Sequence, residues 1–279
     1  MRDFITLTKP RITFMVVLTA LFGYYLAAPE VDVALLVNLL AGTALSCAGA
    51  GVLNMAMEKR ADGAMTRTRH RPIPAGRVEV GTAVSYGGIL ATAGVALLAV
   101  KVNALTAALS AATIVLYVLV YTPLKSRTSL CTVVGAIPGA LPPVMGWAAA
   151  RGTVDAGGWA LFGVLFFWQL PHFLAIAWIH REDYARGGFP MLPVSDRGGD
   201  ATARQIVAYA AALVPATLVA GAFAAAGPGY LWSAVGLGAL FLGCTVFFAV
   251  ERSDRAARWV FLASVLYLPA VLGLMVLDR

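Results

Sequence analysis

The sequence predicts an all-α fold, a polytopic membrane protein built as a nine-transmembrane-helix bundle. Three observations predict it. Of 279 residues, 60% are hydrophobic and only 13% are charged, where soluble domains carry about 25%. The mean hydropathy is +0.80. The charges also collect in segments between apolar runs rather than being spread along helical faces.

Nine runs are long enough to span a bilayer, which takes about 17 to 25 residues each. In order they are Ile12–Ala28, Val33–Met57, Thr82–Val100, Asn103–Tyr121, Leu130–Ala150, Gly157–Ile179, Gln205–Ala226, Tyr230–Val250 and Ala256–Leu277. The fifth contains Pro138, Pro142 and Pro143, which predicts a kinked or broken helix. The N-terminal MRDFITLTKPR is short and lacks a small-residue cleavage site, and so reads as a cytoplasmic tail. The whole chain, 1–279, reads as a single membrane domain. Cys47, Cys131 and Cys244 lie in or beside apolar runs without metal-type spacing and read as small packing residues.

Basic residues fix the expected orientation. Of 21 Lys and Arg, 18 fall on the side that holds the N-terminal tail and the segments between runs 2–3, 4–5, 6–7 and 8–9. The positive-inside rule then places the N-terminus in the cytoplasm and the C-terminus outside. The net charge of +7 is explained by these loops. No base-reading motif is present, so no nucleic-acid partner is expected.

The most informative stretch is Asn54 to Arg77, NMAMEKRADGAMTRTRHRPIPAGR. Asn54, Glu58 and Asp62 are spaced by four, so on a helix each is turned about 40° from the last and the three share a face. Arg67, Arg69, His70 and Arg71 follow. Any single acid here would read as a solvated helix end. Three together, beside arginines at the end of a membrane span, read as a site, because ionisable groups at membrane depth are costly and mark substrate pathways. Magnesium takes hard oxygen ligands, usually one or two carboxylates plus substrate phosphate oxygens. Arginines neutralise the remaining phosphate charge. Arg67 and Arg71, one turn apart if helical, are the leading phosphate candidates, while Lys59, Arg60 and Arg69 also serve as inside anchors.

The second long inner segment, HREDYARGGFPMLPVSDRGGDATAR, leaves the sixth run through Glu182 and Asp183 and meets Pro190 and Pro193, as the first meets Pro72 and Pro74. This suggests a loose repeat, with the 2–3 and 6–7 loops capping one active site. Asp183 is a weaker second acidic candidate, and Asp196 and Asp200 read as solvated. His172, within FWQLPHFLAIAW, reads as functional because a polar ring in a span is unusual; it could ligate a metal, contact a polar substrate group or relay a proton. His180 reads as interfacial, as do most aromatics.

A magnesium–phosphate site at the mouth of an apolar bundle suits a phosphate carried on a greasy tail, such as an isoprenyl diphosphate. The metal would stabilise the leaving diphosphate, and the bundle would keep water from the allylic cation. At this point the chain resembles the UbiA superfamily of intramembrane prenyltransferases, through Asn54-x3-Glu58-x3-Asp62, the nine-helix plan and YTPLK at Tyr121–Lys125. Within it, the chain is similar to the branch that prenylates heme. That likeness rests on LTKPRI, RTRHRPIPAGR, GALPPVMGW, WQLPHF and DYARGGFPMLPV, which run from the N-terminus to Val194.

The resemblance implies transfer of a farnesyl group from farnesyl diphosphate to a vinyl group of heme B, giving heme O, in a bacterial-type plasma membrane. It implies Mg2+ held by Asn54, Glu58, Asp62 and Asp183, and diphosphate clamped by Arg67, Arg71 and Lys125. His172 would contact heme or assist proton transfer, and partners would include heme A synthase or terminal oxidase assembly. Two departures stand out: Glu58 replaces the usual Asp, and the second motif reads Asp183-x3-Gly187. The competing readings are prenylation of an aromatic quinone precursor such as 4-hydroxybenzoate, a membrane transporter or channel, and a heme-delivery protein.

Overall fold

The computed structural model describes residues 1–279 as an all-helical chain. Nine long helices are apolar enough to span a membrane: α1 (Pro10–Ala27), α2 (Val33–Met57), α3 (Val80–Lys101), α4 (Ala104–Leu124), α5 (Cys131–Arg151), α6 (Ala156–Ile179), α7 (Asp200–Phe223), α8 (Pro228–Glu251) and α9 (Asp254–Leu277). Side chains cap several starts. Asp32, Asn103, Asp155 and Ser253 each accept a backbone N–H from the first turn that follows.

The expected boundaries differ most at α7, which begins five residues before Gln205. Its first turn is charged, so apolarity alone does not reveal it. Asp196, expected to be solvated, instead accepts from the Thr202 backbone N–H at 2.7 Å and its hydroxyl at 2.9 Å. The exposed Asp200 pairs with Arg252 at 2.7 Å. A second difference lies in α4, which passes into a π-helical segment over Leu116–Tyr121. The third is α5, where the expectation of a break is not met: it is one helix through all three prolines.

The helices form two groups joined through α5 and α6. In the first, α2 packs along α3, α1 along α5, and α4 against α3 and α5; in the second, α6 packs on α7 and α9, with α8 between α7 and α9. Contact between α9 and α1 closes the ring. Helix α5 is the hub, with 67% of its apolar window buried against 22% for α4. Large apolar side chains such as Ile89, Trp232 and Leu266 stay exposed, as expected where lipid is the solvent.

Lipid tails are as apolar as leucine, so close backbone packing has to hold such helices together. Small residues supply it. A Cβ at Gly146 on α5 would strike the Ala20 carbonyl of α1, and one at Gly49 on α2 would strike the Ala91 backbone of α3.

The N-terminal tail is ordered as a short helix, Arg2–Leu7. Leu7 is fully buried with Val52, Met55, Ile73 and Val78, and Phe4 packs on Tyr86. The tail therefore seals the end of α2 that carries the acidic stretch.

Replacing Gly146 by Val should destabilise the bundle by about 1–3 kcal/mol through overpacking. Thermal melting in detergent checks this. The control is Gly163→Ala, where a Cβ meets nothing within 4 Å and the melting temperature should hold.

Candidate active site

Helix α2 ends at Met57, and Glu58 leaves helical geometry with φ −86 and ψ 8 before a short helix resumes over Lys59–Ala64. The break keeps the spacing of four. The Glu58 N–H donates to the Asn54 carbonyl at 3.0 Å, and the Asp62 N–H to the Glu58 carbonyl at 2.8 Å. All three side chains are buried, at 2%, 6% and 0% exposure for Asn54, Glu58 and Asp62. Buried carboxylates need partners, and each rung of this ladder faces a cation.

At Asp62, Arg71 Nη1 donates to both oxygens at 2.9 and 2.8 Å. At Glu58, Lys125 Nζ donates at 3.0 and 3.3 Å. The Asn54 Oδ1 accepts from Lys9 Nζ at 2.7 Å and from the Tyr117 hydroxyl at 3.3 Å, while its Nδ2 donates to Thr122 at 3.0 Å. The π turn of α4 faces the ladder with Tyr117 and Tyr121 stacked at 5.5 Å and 22°. Lys125 also lies over the Phe189 ring, 4.6 Å from its centroid.

The mutual fields set the charges. Burial pushes Glu58 up, but Lys125 and then Lys9 outweigh it, so its carboxyl sits below the ordinary value. Burial pushes Lys125 down, and Glu58 overrides it, so its ammonium is held more firmly than usual. Lys9 is lowered to about 8 by burial, with Glu58 opposing and Arg71 and Lys125 adding repulsion.

Sequence reasoning missed Lys9 as a site residue, although it stands in LTKPRI. Its backbone is left-handed, φ 50 and ψ 59, just before Pro10. Such a conformation costs a non-glycine residue about 1–2 kcal/mol and is held here by the ordered tail. A lysine next to proline at a span entrance, 45 residues from Asn54, carries no local sign of that contact.

The other predicted residues lie apart from the ladder. Arg67 is exposed, with its guanidinium 6.0 Å from the Tyr184 ring centroid. The stretch is not helical there, so Arg67 and Arg71 do not stack one turn apart. Asp183 sits on a short helix, Arg181–Arg186. Its carboxylate accepts the Thr66 N–H at 2.9 Å, the Arg67 N–H at 3.0 Å and Arg186 at 2.6 Å. It thus staples the 6–7 segment to the 2–3 segment, and three donors occupy its oxygens. Burial pushes its pKa up, but Arg186 and the two amides hold it down at about 2. The staple is therefore fully present above the ordinary aspartate pKa and is lost as pH falls through about 2. Met65, Phe189, Met191, Cys131 and Ala177 pack beneath it.

His172 lies seven residues, about 10 Å, inside the Ile179 end of α6. It contacts Ser264, Trp168, Phe173 and Phe261 and no acidic side chain.

The oxygen donors suit a hard cation. Two carboxylates and one amide oxygen on successive turns match magnesium shared with a substrate phosphate better than a cage made wholly of protein.

Asp183→Asn should loosen the staple by about 1.5–3 kcal/mol, the worth of bonds to a charged acceptor. Amide exchange at Thr66 and Arg67 should then rise by about 10- to 100-fold, read by hydrogen–deuterium exchange.

The sequence model of the UbiA prenyltransferase family matches residues 16–267. A protoheme IX farnesyltransferase of Solibacter usitatus is 45% identical, covering 100% of this chain and 99% of its own. One of Salinibacter ruber is 46% identical, covering 99% and 98%. Among solved structures, a study of digeranylgeranylglyceryl phosphate synthase aligns with TM-score 0.83 at 15% identity, covering 99% and 97%. A UbiA homolog from Archaeoglobus fulgidus bound to GPP and Mg2+ aligns with TM-score 0.70 at 16% identity, covering 98% and 99%. These likenesses establish the fold, and the sequence matches establish the lineage. The chain is an integral membrane protein that belongs to the UbiA prenyltransferase family.

Proposed function

We propose that this protein transfers a farnesyl group from farnesyl diphosphate to a vinyl group of protoheme IX (heme B), yielding heme O. The observation that carries the prenyl-transfer chemistry is the buried Asn54–Glu58–Asp62 ladder with a cation on every rung. The choice of heme as acceptor is supported by relatives of about the same length that bear that name at 45% and 46% identity.

Asn54, Glu58 and Asp62 would hold magnesium, which supplies Lewis-acid stabilisation of the departing diphosphate. Lys9, Arg71 and Lys125 bind diphosphate oxygens, and Arg67 meets the substrate at the rim. The C1–O bond of the donor breaks with its electron pair leaving on the diphosphate. The vinyl π electrons form the new carbon–carbon bond at C1. The cation left beside the porphyrin ring takes up water and loses a proton, completing a hydroxyethylfarnesyl group. Tyr117 and Tyr121 stack on each other beside the ladder, with the Tyr117 hydroxyl on Asn54, and aromatic rings in such a place attract positive charge. Asp183 keeps the 2–3 segment seated over the site, as a positioning residue. The basic residues concentrated in these segments support a cytoplasmic position for this end of the bundle.

The test is mass spectrometry of heme after incubating the purified protein with heme B, farnesyl diphosphate and magnesium, with and without chelator. Heme O should form only with the metal. Unchanged heme from folded protein overturns the acceptor, and 4-hydroxybenzoate is then the next acceptor to assay. In the same assay Asp62→Asn should lower kcat more than about 100-fold, the scale for losing a charge that acts on the transition state, while the protein stays monodisperse. Lys9→Met should lower kcat/KM by about 10- to 100-fold, equivalent to one hydrogen bond to a charged group.

A further inference from the structure

The buried polar group that the ladder does not use is His172. Its surroundings fix which ring nitrogen carries the proton. Ser264 Oγ lies 2.6 Å from the Phe261 carbonyl oxygen, which can only accept. A serine has one hydroxyl proton, and that proton is committed there. His172 Nδ1 lies 2.7 Å from the same Oγ, so the proton between them must come from Nδ1. No carboxylate contacts the ring, and a lone imidazolium among apolar helices would be costly. Nε2 therefore carries a free lone pair. It has no protein hydrogen-bond partner and is not sealed in the core.

The ring is also held in orientation. Trp168, one turn earlier on α6, stacks on it at 5.1 Å and 22°. Phe261, one turn before Ser264 on α9, lies at 5.1 Å and 31°. The Trp168 indole N–H donates to the Ser264 carbonyl at 2.7 Å, locking α6 to α9 at this level. A fixed imidazole whose second nitrogen donates to a defined acceptor is the arrangement found behind metal-bound histidines. The rings packed nearly parallel to the imidazole fix its plane, and with it the direction of the Nε2 lone pair.

We propose that His172 Nε2 is an axial ligand to the iron of the heme substrate, and that Ser264 is the positioning residue that holds it in the ligating tautomer. This rests on the reading of heme as acceptor. Iron ligation would anchor the porphyrin at a set depth in the bundle, so that a vinyl group rather than the polar edge is presented to the prenyl donor. No covalent chemistry is asked of His172.

The test is a titration of the purified full-length protein in detergent with ferrous and ferric protoheme, read by absorption, EPR and the resonance-Raman Fe–His stretch. Metal-free protoporphyrin IX serves as the control ligand. Wild type should show histidine ligation. His172→Gln, whose amide can still donate to Ser264, should lose the Fe–His signature and recover it with added imidazole, while its affinity for the metal-free porphyrin stays unchanged. Ser264→Ala should keep ligation, shift the Fe–His stretch and weaken heme binding by about tenfold, and Ser264→Thr should restore both. An unchanged heme spectrum in His172→Gln overturns the proposal, as does an equal loss of affinity for heme and metal-free porphyrin. Histidine-ligated heme in a protein that forms no heme O would leave this site standing and remove the proposed reaction instead.

Discussion

The arrangement depends on one constraint: carboxylates buried at the end of an apolar bundle must be paired. Glu58 and Asp62 have little contact with water, so each requires a cation in direct contact. Meeting that need draws in three remote parts of the chain. Lys9 comes from the N-terminal tail, Lys125 from the end of α4 and Arg71 from the 2–3 segment. The ordered tail, the π turn of α4 and the folded 2–3 segment all serve to put a positive group on one rung. Cations that balance carboxylates can also balance phosphate oxygens.

A second requirement follows from the first. Charged partners spread over the chain stay aligned only if the helices that carry them hold their relative positions. Backbone-to-backbone contact at Gly49 and Gly146 sets α2 against α3 and α1 against α5. Asp183 does the same between loops, using hydrogen bonds to two amides rather than packing. The capping loops are therefore one connected structure, with apolar residues such as Met65 and Phe189 beneath. In the family likeness Asp183 belongs to a second acidic motif. Here its oxygens are directed at Thr66, Arg67 and Arg186, and its fourth-residue neighbour is Gly187, which carries no acid.

The bundle has a division of depth. The charge-paired site lies where α2 ends, and the aromatic frame of His172 lies about two turns inside α6. The polar contacts of the two levels involve different residues, so each level can be perturbed separately.

The amino-acid sequence by itself determined the membrane class, the nine spans and the spacing of Asn54, Glu58 and Asp62. Those features are local: apolar run length and the period of the helix are written in consecutive residues, and even the break at Glu58 did not disturb the i to i+4 bonds. Only the tertiary structure decided who partners whom. Lys125 meets Glu58 across 67 positions and Lys9 meets Asn54 across 45, while Ser264 reaches His172 across 92. No window of neighbouring residues reports such contacts. The π turn, the continuous proline-bearing α5 and the cap formed by Asp196 escaped for the same reason. Each is a compromise between local preference and the surface packed against it, and that surface exists only once the chain has folded.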